Sequence, residues 1–252
     1  MVDLKEKVVL ITGGSRGIGA VTVGTVARAG AHVILHYGRS RERAESLADD
    51  IGRDRCHLIA ADLESASAGV ELWRAAVAWQ GRVDVLVNNA GVYGPAGVDD
   101  DLAAWHRVWA RALRVNLTAA ADLCREAIRH YRTRGGGIIV NIASRAAFRG
   151  DDPEYMHYAA SKAGLVALTR SIARGFAREG VLAYVVAPGF VKTEMADPFV
   201  RDHGEEAVVA EIPLGAMADP EDVANVVAFL ASGAARHATG TTIDVNGASY
   251  VH

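Results

Sequence analysis

The chain has 252 residues, of which 50% are apolar and 23% charged, enough to bury a sizeable core; a disordered chain, a fibrous repeat and a small stapled scaffold are excluded. A formal net charge of -3 leaves no basic excess for neutralising phosphates, so nucleic acid and a polybasic membrane patch are disfavoured and a small-molecule partner is favoured. Only four of the 27 basic residues are lysine: Lys5, Lys7, Lys162 and Lys192.

No repeat and no Pro/Ser-rich linker divides the chain, so residues 1–252 are expected to form one domain. Short apolar runs bounded by Gly, Asn or Asp at 8–11, 33–37, 57–61, 83–87, 138–142, 182–187 and 241–245 predict about seven buried strands. Helical periods fill the gaps. The first, through Ile18, Val21 and Thr25, ends at Arg28 with Gly30 just beyond. Residues 98–134 contain no Gly or Pro, which predicts a long helix or a bent pair carrying Trp105, Trp109, Leu113, Leu117, Cys124 and Ile128. Residues 158–178 predict another helix, whose small residues Ala159, Ala160, Ala163, Gly164 and Ala167 let a second backbone approach closely, such as one across a subunit interface. The stretch 189–218 is the least regular and is expected to be a lid over a site. Asp219, Pro220, Glu221 and Asp222 mark the start of the last helix. Alternating strands and helices predict an α/β fold: one Rossmann-type doubly wound parallel sheet with helices on both faces. No apolar stretch approaches a membrane span of roughly 18 residues and no signal-peptide core opens the chain, so a cytoplasmic protein is expected. Cys56 and Cys124 are far apart and outside any metal-ligand spacing; two buried thiols and no metal are expected.

The first strand runs into Thr12-Gly13-Gly14-Ser15-Arg16-Gly17-Ile18-Gly19. Glycines between a strand and a helix allow a tight turn and a close approach of a pyrophosphate to backbone N–H groups at the helix start, so a dinucleotide site is expected. An acidic residue about 20 positions further on would accept the ribose hydroxyls of NAD. This chain instead has His36-Tyr37-Gly38-Arg39-Ser40, and Arg39 with Arg16 can clamp a 2′-phosphate, which favours NADP over NAD. Tyr158 and Lys162 are four apart on one helical face. A nearby cation favours phenolate, and would make Tyr158 a workable acid and base.

These features in order resemble the short-chain dehydrogenase/reductase family over essentially the whole chain. Thr12 to Gly19 resembles its cofactor turn. Asp62, with Leu63, resembles its adenine contact, although Asp62 can also cap the next helix; Asn88-Asn89-Ala90-Gly91 resembles its NNAG signature, whose asparagines also tie loops together. Asn116, Ser144, Tyr158 and Lys162 match its catalytic tetrad, and Pro188, Gly189, Val191 and Thr193 match the segment at the nicotinamide end. The general likeness is nearest to 3-oxoacyl-carrier-protein reductase-type members, through 37–40, 187–190 and 243–247, with Tyr184 standing where the family often has Asn.

The resemblance implies hydride transfer between the nicotinamide cofactor and a carbonyl or secondary alcohol, possible substrates including a 3-oxoacyl thioester. Tyr158 would exchange the proton, Ser144 would orient the substrate oxygen, Lys162 would lower the Tyr158 pKa and hold the ribose hydroxyls, and Asn116 would position a water. Arg145, Phe148, Met156, His157, Tyr93 and the lid from Phe190 are expected to meet the substrate, and a homotetramer is implied. The alternative is an NADP-binding regulator or sensor without turnover. An epimerase or dehydratase is disfavoured, because such relatives carry a larger substrate domain.

Overall fold

The computed structural model describes residues 2–251. Its strands are β1 (Val8–Ile11), β2 (His32–Tyr37), β3 (Cys56–Ala60), β4 (Val85–Asn88), β5 (Gly137–Ile142), β6 (Val181–Pro188) and β7 (Thr242–Val245). All pair in parallel in the order β3-β2-β1-β4-β5-β6-β7. The expected runs are the observed strands to within two residues at either end. The helices are α1 (Gly17–Arg28), α2 (Arg41–Ile51), α3 (Ala68–Gln80), α4 (Leu102–Leu113), α5 (Ala119–Arg132), α6 (Ala146–Arg149), α7 (Met156–Phe176), α8 (Asp197–His203), α9 (Glu205–Ala210) and α10 (Pro220–Ser232).

Alternate residues of a strand point to opposite faces, and β1 shows why a run apolar at every position was needed. Val9 and Ile11 join Val23 and Val26 of α1 and Val223 and Val227 of α10, whereas Val8 and Leu10 join Leu72 of α3, Leu123 of α5 and Ile172 of α7. The sheet is therefore covered on both faces. The strand order reverses between β1 and β4, which opens a crevice beyond their carboxyl ends where open α/β sheets bind ligands.

The 98–134 stretch is the bent pair. The Asp101 carboxylate accepts the N–H groups of Ala103 and Ala104, both at 3.0 Å, and starts α4 four residues later than the bare absence of Gly and Pro allowed. Between α4 and α5 the backbone widens into a π-helical turn, Arg114–Thr118. Of the small residues of α7, Gly164 has a close neighbour inside the chain, since an added Cβ would lie 2.8 Å from Leu117 of that turn, whereas Ala160 and Ala167 are exposed. Segment 189–218 holds two short helices and a small core of its own, with Val208, Ile212 and Met217 packed against Phe190, Phe199 and Val200. Tyr184 is fully buried on β6, and its hydroxyl donates to the Ala235 carbonyl at 2.9 Å. Both cysteines are free and buried. Among the described residues no helix is long and apolar enough to cross a membrane.

Candidate active site

The glycine turn joins β1 to α1 and is fixed from three sides. Thr12, the last residue before the glycines, accepts the N–H groups of Asn89 and Ala90 on its hydroxyl, each at 3.0 Å. The Asn89 amide returns two bonds, to the carbonyls of Thr12 at 2.9 Å and Gly13 at 3.1 Å. From β2, the His36 ring accepts the Gly13 N–H and the His36 carbonyl accepts the Gly14 N–H. Gly13 has φ 65°, a conformation open to glycine at little cost. At Gly19 the constraint is space, since an added Cβ would fall 2.1 Å from the Gly13 carbonyl oxygen. Ser15 is nearly buried and Arg16 occupies the cap position of α1 without capping it, and Gly17 and Ile18 begin a helix whose first turn carries no acidic residue. Uncapped N–H groups and an absent carboxylate at a helix start fit an anion such as a pyrophosphate.

The other expected cofactor residues ring this turn. Gly13 would meet Ala90 at 3.0 Å if it bore a Cβ, and Gly91 would meet the Lys162 Nζ at 3.6 Å, so the NNAG segment bridges the turn and α7. Pro188 ends β6; Gly189 donates its N–H to Val245, and Val191 forms an isolated bridge with Ala218. Thr193 lies against Gly17, its methyl 3.4 Å from where a Cβ would be. Leu63 is buried and Asp62 is exposed. The Asp62 carboxylate accepts the Glu64 N–H at 3.0 Å, which closes a local turn; α3 starts later, at Ala68, so Asp62 does not cap it. Arg39 is exposed and Ser40 precedes α2 without capping it. Arg16 reaches Glu194 at 3.5 Å, and Arg43 of α2 pairs with the same carboxylate. Arg43 was missed. Basic residues in the first turn of α2, where the helix dipole prefers acids, were its signal.

The four tetrad positions converge at the carboxyl end of β5. Ser144 follows that strand; its hydroxyl accepts the Ala146 N–H at 3.1 Å and lies beside the Tyr158 phenol. Burial pushes the Tyr158 pKa up to about 12. Lys162 is buried one turn further along α7; its Nζ donates to the Ile142 carbonyl at 2.8 Å and stands 5.7 Å from the centre of the Tyr158 ring. Burial lowers its pKa to about 8. Burial raises the phenol's pKa and the Ser144 hydroxyl opposes the rise, while the ammonium 5.7 Å from its ring is itself costly to keep charged. Asn116 lies in the π-helical turn, a frequent device at functional sites. Its carbonyl oxygen accepts the Val92 N–H at 2.8 Å, and its amide donates to the Val92 carbonyl and to Ser161 Oγ, both at 3.1 Å. Ser161 and Thr12 were not expected to take part; a hydroxyl one residue before Lys162 and another at a strand end were the signals.

Of the expected substrate contacts, Tyr93 is well placed. Its ring stacks on Tyr155 at 4.0 Å and meets Tyr158 edge-on at 4.8 Å. Phe148 stacks on Tyr250 and Met156 is exposed. Two others are buried. Arg145 pairs through one nitrogen with Glu211 at 3.2 Å and lies over the Phe190 ring at 4.6 Å, while its Nη1 is buried without a hydrogen-bond partner among the described residues. His157 is 1% exposed against Trp109 of α4, on the side of α7 that packs inward. Among the described residues no cluster could hold a metal ion.

Relatives share this arrangement of elements. A family model described as Enoyl-(Acyl carrier protein) reductase matches residues 13–248. The 3-oxoacyl-[acyl-carrier-protein] reductase FabG of Rickettsia bellii is 37% identical over 249 residues, 98% of each chain. The enzyme of the same name from Staphylococcus aureus is 35% identical over 250 residues, 97% of this chain and 98% of the relative. A crystal structure with a provisional assignment as an NAD(P)-dependent gluconate 5-dehydrogenase from Beutenbergia cavernae, with NADP bound, superposes with TM-score 0.89 at 35% identity, covering 98% of this chain and 97% of that one. A dehydrogenase/reductase from Sinorhizobium meliloti gives 0.90 at 34% identity, over 99% and 97%. With the seven-stranded parallel sheet and the turn that opens it, these matches make the chain a member of the short-chain dehydrogenase/reductase family, an oxidoreductase that uses a nicotinamide cofactor on a small-molecule substrate.

Proposed function

We propose that this protein is an NADP-preferring carbonyl reductase in which Tyr158 donates the proton, Ser144 orients the substrate oxygen, Lys162 supplies positive charge beneath the phenol and Asn116 fixes the site's floor. The observation that carries this reading is the juxtaposition of Ser144 with the Tyr158 phenol, one helical turn from a buried lysine and linked through Gly91 and Ala90 to the glycine turn. When bound, the nicotinamide supplies or accepts hydride at the substrate carbon. The residues handle the oxygen. A phenol with a pKa of about 12 keeps its proton at neutral pH, and gives it to an oxygen that gains alkoxide character. Ser144 donates to the same oxygen, and both groups are held in place beforehand. Segment 189–218, part of the single domain, covers the substrate, and Tyr93 forms an aromatic wall beside the proton donor.

The preference for NADP is supported by the lack of a carboxylate at the end of β2 and by the cations of Arg16, Arg39 and Arg43 around the crevice mouth. The names of the relatives support a 3-oxoacyl thioester or a sugar-acid ketone as substrate. We infer a cytoplasmic homotetramer from the family likeness, which size-exclusion chromatography with light scattering tests. Oxidation of NADPH with ketones, 3-oxoacyl thioesters and keto sugar acids tests the activity. Tyr158→Phe is expected to lower kcat by about 10²–10⁴-fold; turnover that survives it would overturn the mechanism. Tight NADPH binding with no turnover on any of these substrates would favour a sensor. Arg39→Ala is expected to weaken NADPH more than NADH, and equal affinities before and after it would remove the phosphate clamp.

A further inference from the structure

The buried His36 ring couples the glycine turn to the end of β3. It is 2% exposed. Its Nδ1 stands 3.1 Å from the Gly13 nitrogen and accepts that N–H, while its Nε2 stands 3.0 Å from the Ala61 carbonyl oxygen. A carbonyl can only accept, so Nε2 carries the proton and Nδ1 is the free acceptor: one neutral tautomer fits both bonds. The backbone carbonyl of the same residue takes the next N–H, from Gly14, at 2.8 Å. One residue thus turns two successive amides of the turn toward β2, leaving the uncapped amides at the start of α1 for an anion. Any buried histidine needs partners, but here the acceptor nitrogen engages the first glycine of the phosphate turn.

We infer that His36 is a positioning residue for the nicotinamide cofactor, and that its protonation releases Gly13 and weakens cofactor binding in acid. This rests on the reading of the glycine turn as the cofactor site. A second proton would go to Nδ1, the atom that accepts the Gly13 N–H, and turn an acceptor into a donor facing a donor. The titratable and charged groups on the surrounding elements are Tyr37 and Arg39 on and after its own strand, Arg16 on the turn, Arg43 on α2, and His57 and Asp62 on and after β3. None of them governs its proton affinity: burial lowers the His36 pKa and the Ala61 carbonyl opposes the shift. Neutral His36 is therefore the resting form at neutral pH. The folded pKa lies below the ordinary 6.5, so the stability that neutral His36 contributes is complete above about pH 6.5 and is lost as pH falls through the folded value.

Two near-isosteric variants separate the two ring nitrogens. In His36→Asn the amide oxygen takes the place of Nδ1 and can accept the Gly13 N–H; in His36→Gln the amide nitrogen approximates Nε2 and can donate to Ala61. NADPH affinity is read directly by fluorescence titration from pH 5 to 8, with thermal melts of each protein alongside. The expected result at pH 7.5 is a Kd within about threefold of wild type for His36→Asn and about tenfold higher for His36→Gln. Wild-type Kd is expected to rise in acid, and that rise to be absent from His36→Asn. Equal Kd values for the two variants, an acid limb shared by wild type and His36→Asn, or affinities that merely follow the melting temperatures would overturn the role of His36. Failure of the wild type to bind NADPH or NADH at any pH would instead overturn the cofactor reading on which it rests.

Discussion

The two walls of the crevice are built differently. On the cofactor side, Thr12, His36 and Asn89 reach across the sheet to grip backbone amides and carbonyls of the turn and its neighbours, in bonds that span up to 78 residues of sequence. On the substrate side, the contacts are aromatic stacks such as Tyr93 on Tyr155 and ion pairs such as Arg149 with Glu211, in which the carboxylate is half exposed. Buried backbone bonds are expensive to leave unmade, whereas exposed ion pairs contribute little. The cofactor wall is thus rigid and intolerant, and the substrate wall can change without loss of the fold.

The harshest test of that contrast is Gly19→Ala. The added methyl would lie 2.1 Å from the Gly13 oxygen and 2.5 Å from the Asn89 amide nitrogen, two atoms of the pinned network. The turn must rebuild, at about 3 kcal/mol or more by the cost of overpacking, and isothermal titration should show NADPH affinity at least about 100-fold weaker. Binding at wild-type strength would show that the cofactor wall yields as readily as the other.

Lys162, between the walls, separates stability from function. Its pKa is 10.5 in the unfolded chain and about 8 when buried, so the unfolded chain holds more protons between those values. Burial of the charge is a full penalty below about pH 8 and fades as pH rises toward 10.5. Lys162→Met is expected to stabilise the protein by up to about 3 kcal/mol at pH 7, and to shrink that gain at pH 10, while catalysis falls sharply. Chemical denaturation at both pH values checks the sign, and a destabilised variant at pH 7 would contradict it.

The smallest effect belongs to Glu194→Gln. Losing this exposed carboxylate frees Arg16 and Arg43 and is expected to improve NADPH affinity by less than about fivefold. The gain should fade in about 1 M salt, where charges beyond roughly 3 Å are screened. A larger change, or one indifferent to salt, would show that this edge of the crevice is no more adjustable than the turn.

The sheet was legible because its central strands are buried on both faces and read as unbroken apolar runs between glycines and polar residues; the edge strands β3 and β7 are only half-buried. The glycine turn, Tyr158 and Lys162 were legible because they are local patterns. The π-helical turn was not, since Asn116 is held there by Val92 and Ser161, and periodicity does not show distant bonds. For the same reason the sequence did not reveal that His36 holds the glycine turn, that Arg43 pairs with Glu194, that Asp62 closes a local turn, or that Arg145 and His157 are buried.

Segment 189–218 is tied at its neck, where Val191 bridges Ala218, the Lys192 N–H donates to the Ala218 carbonyl and the Ala218 N–H donates to Phe190. A loop already closed at its base can grow cheaply, because each doubling of length adds only about 0.6 kcal/mol of closure entropy. The neck works as a socket. Longer or shorter inserts can be exchanged above it while the sheet, the turn and the proton donor stay where they are, which makes this the place where the chain's choice of substrate is most open to revision by evolution or by design.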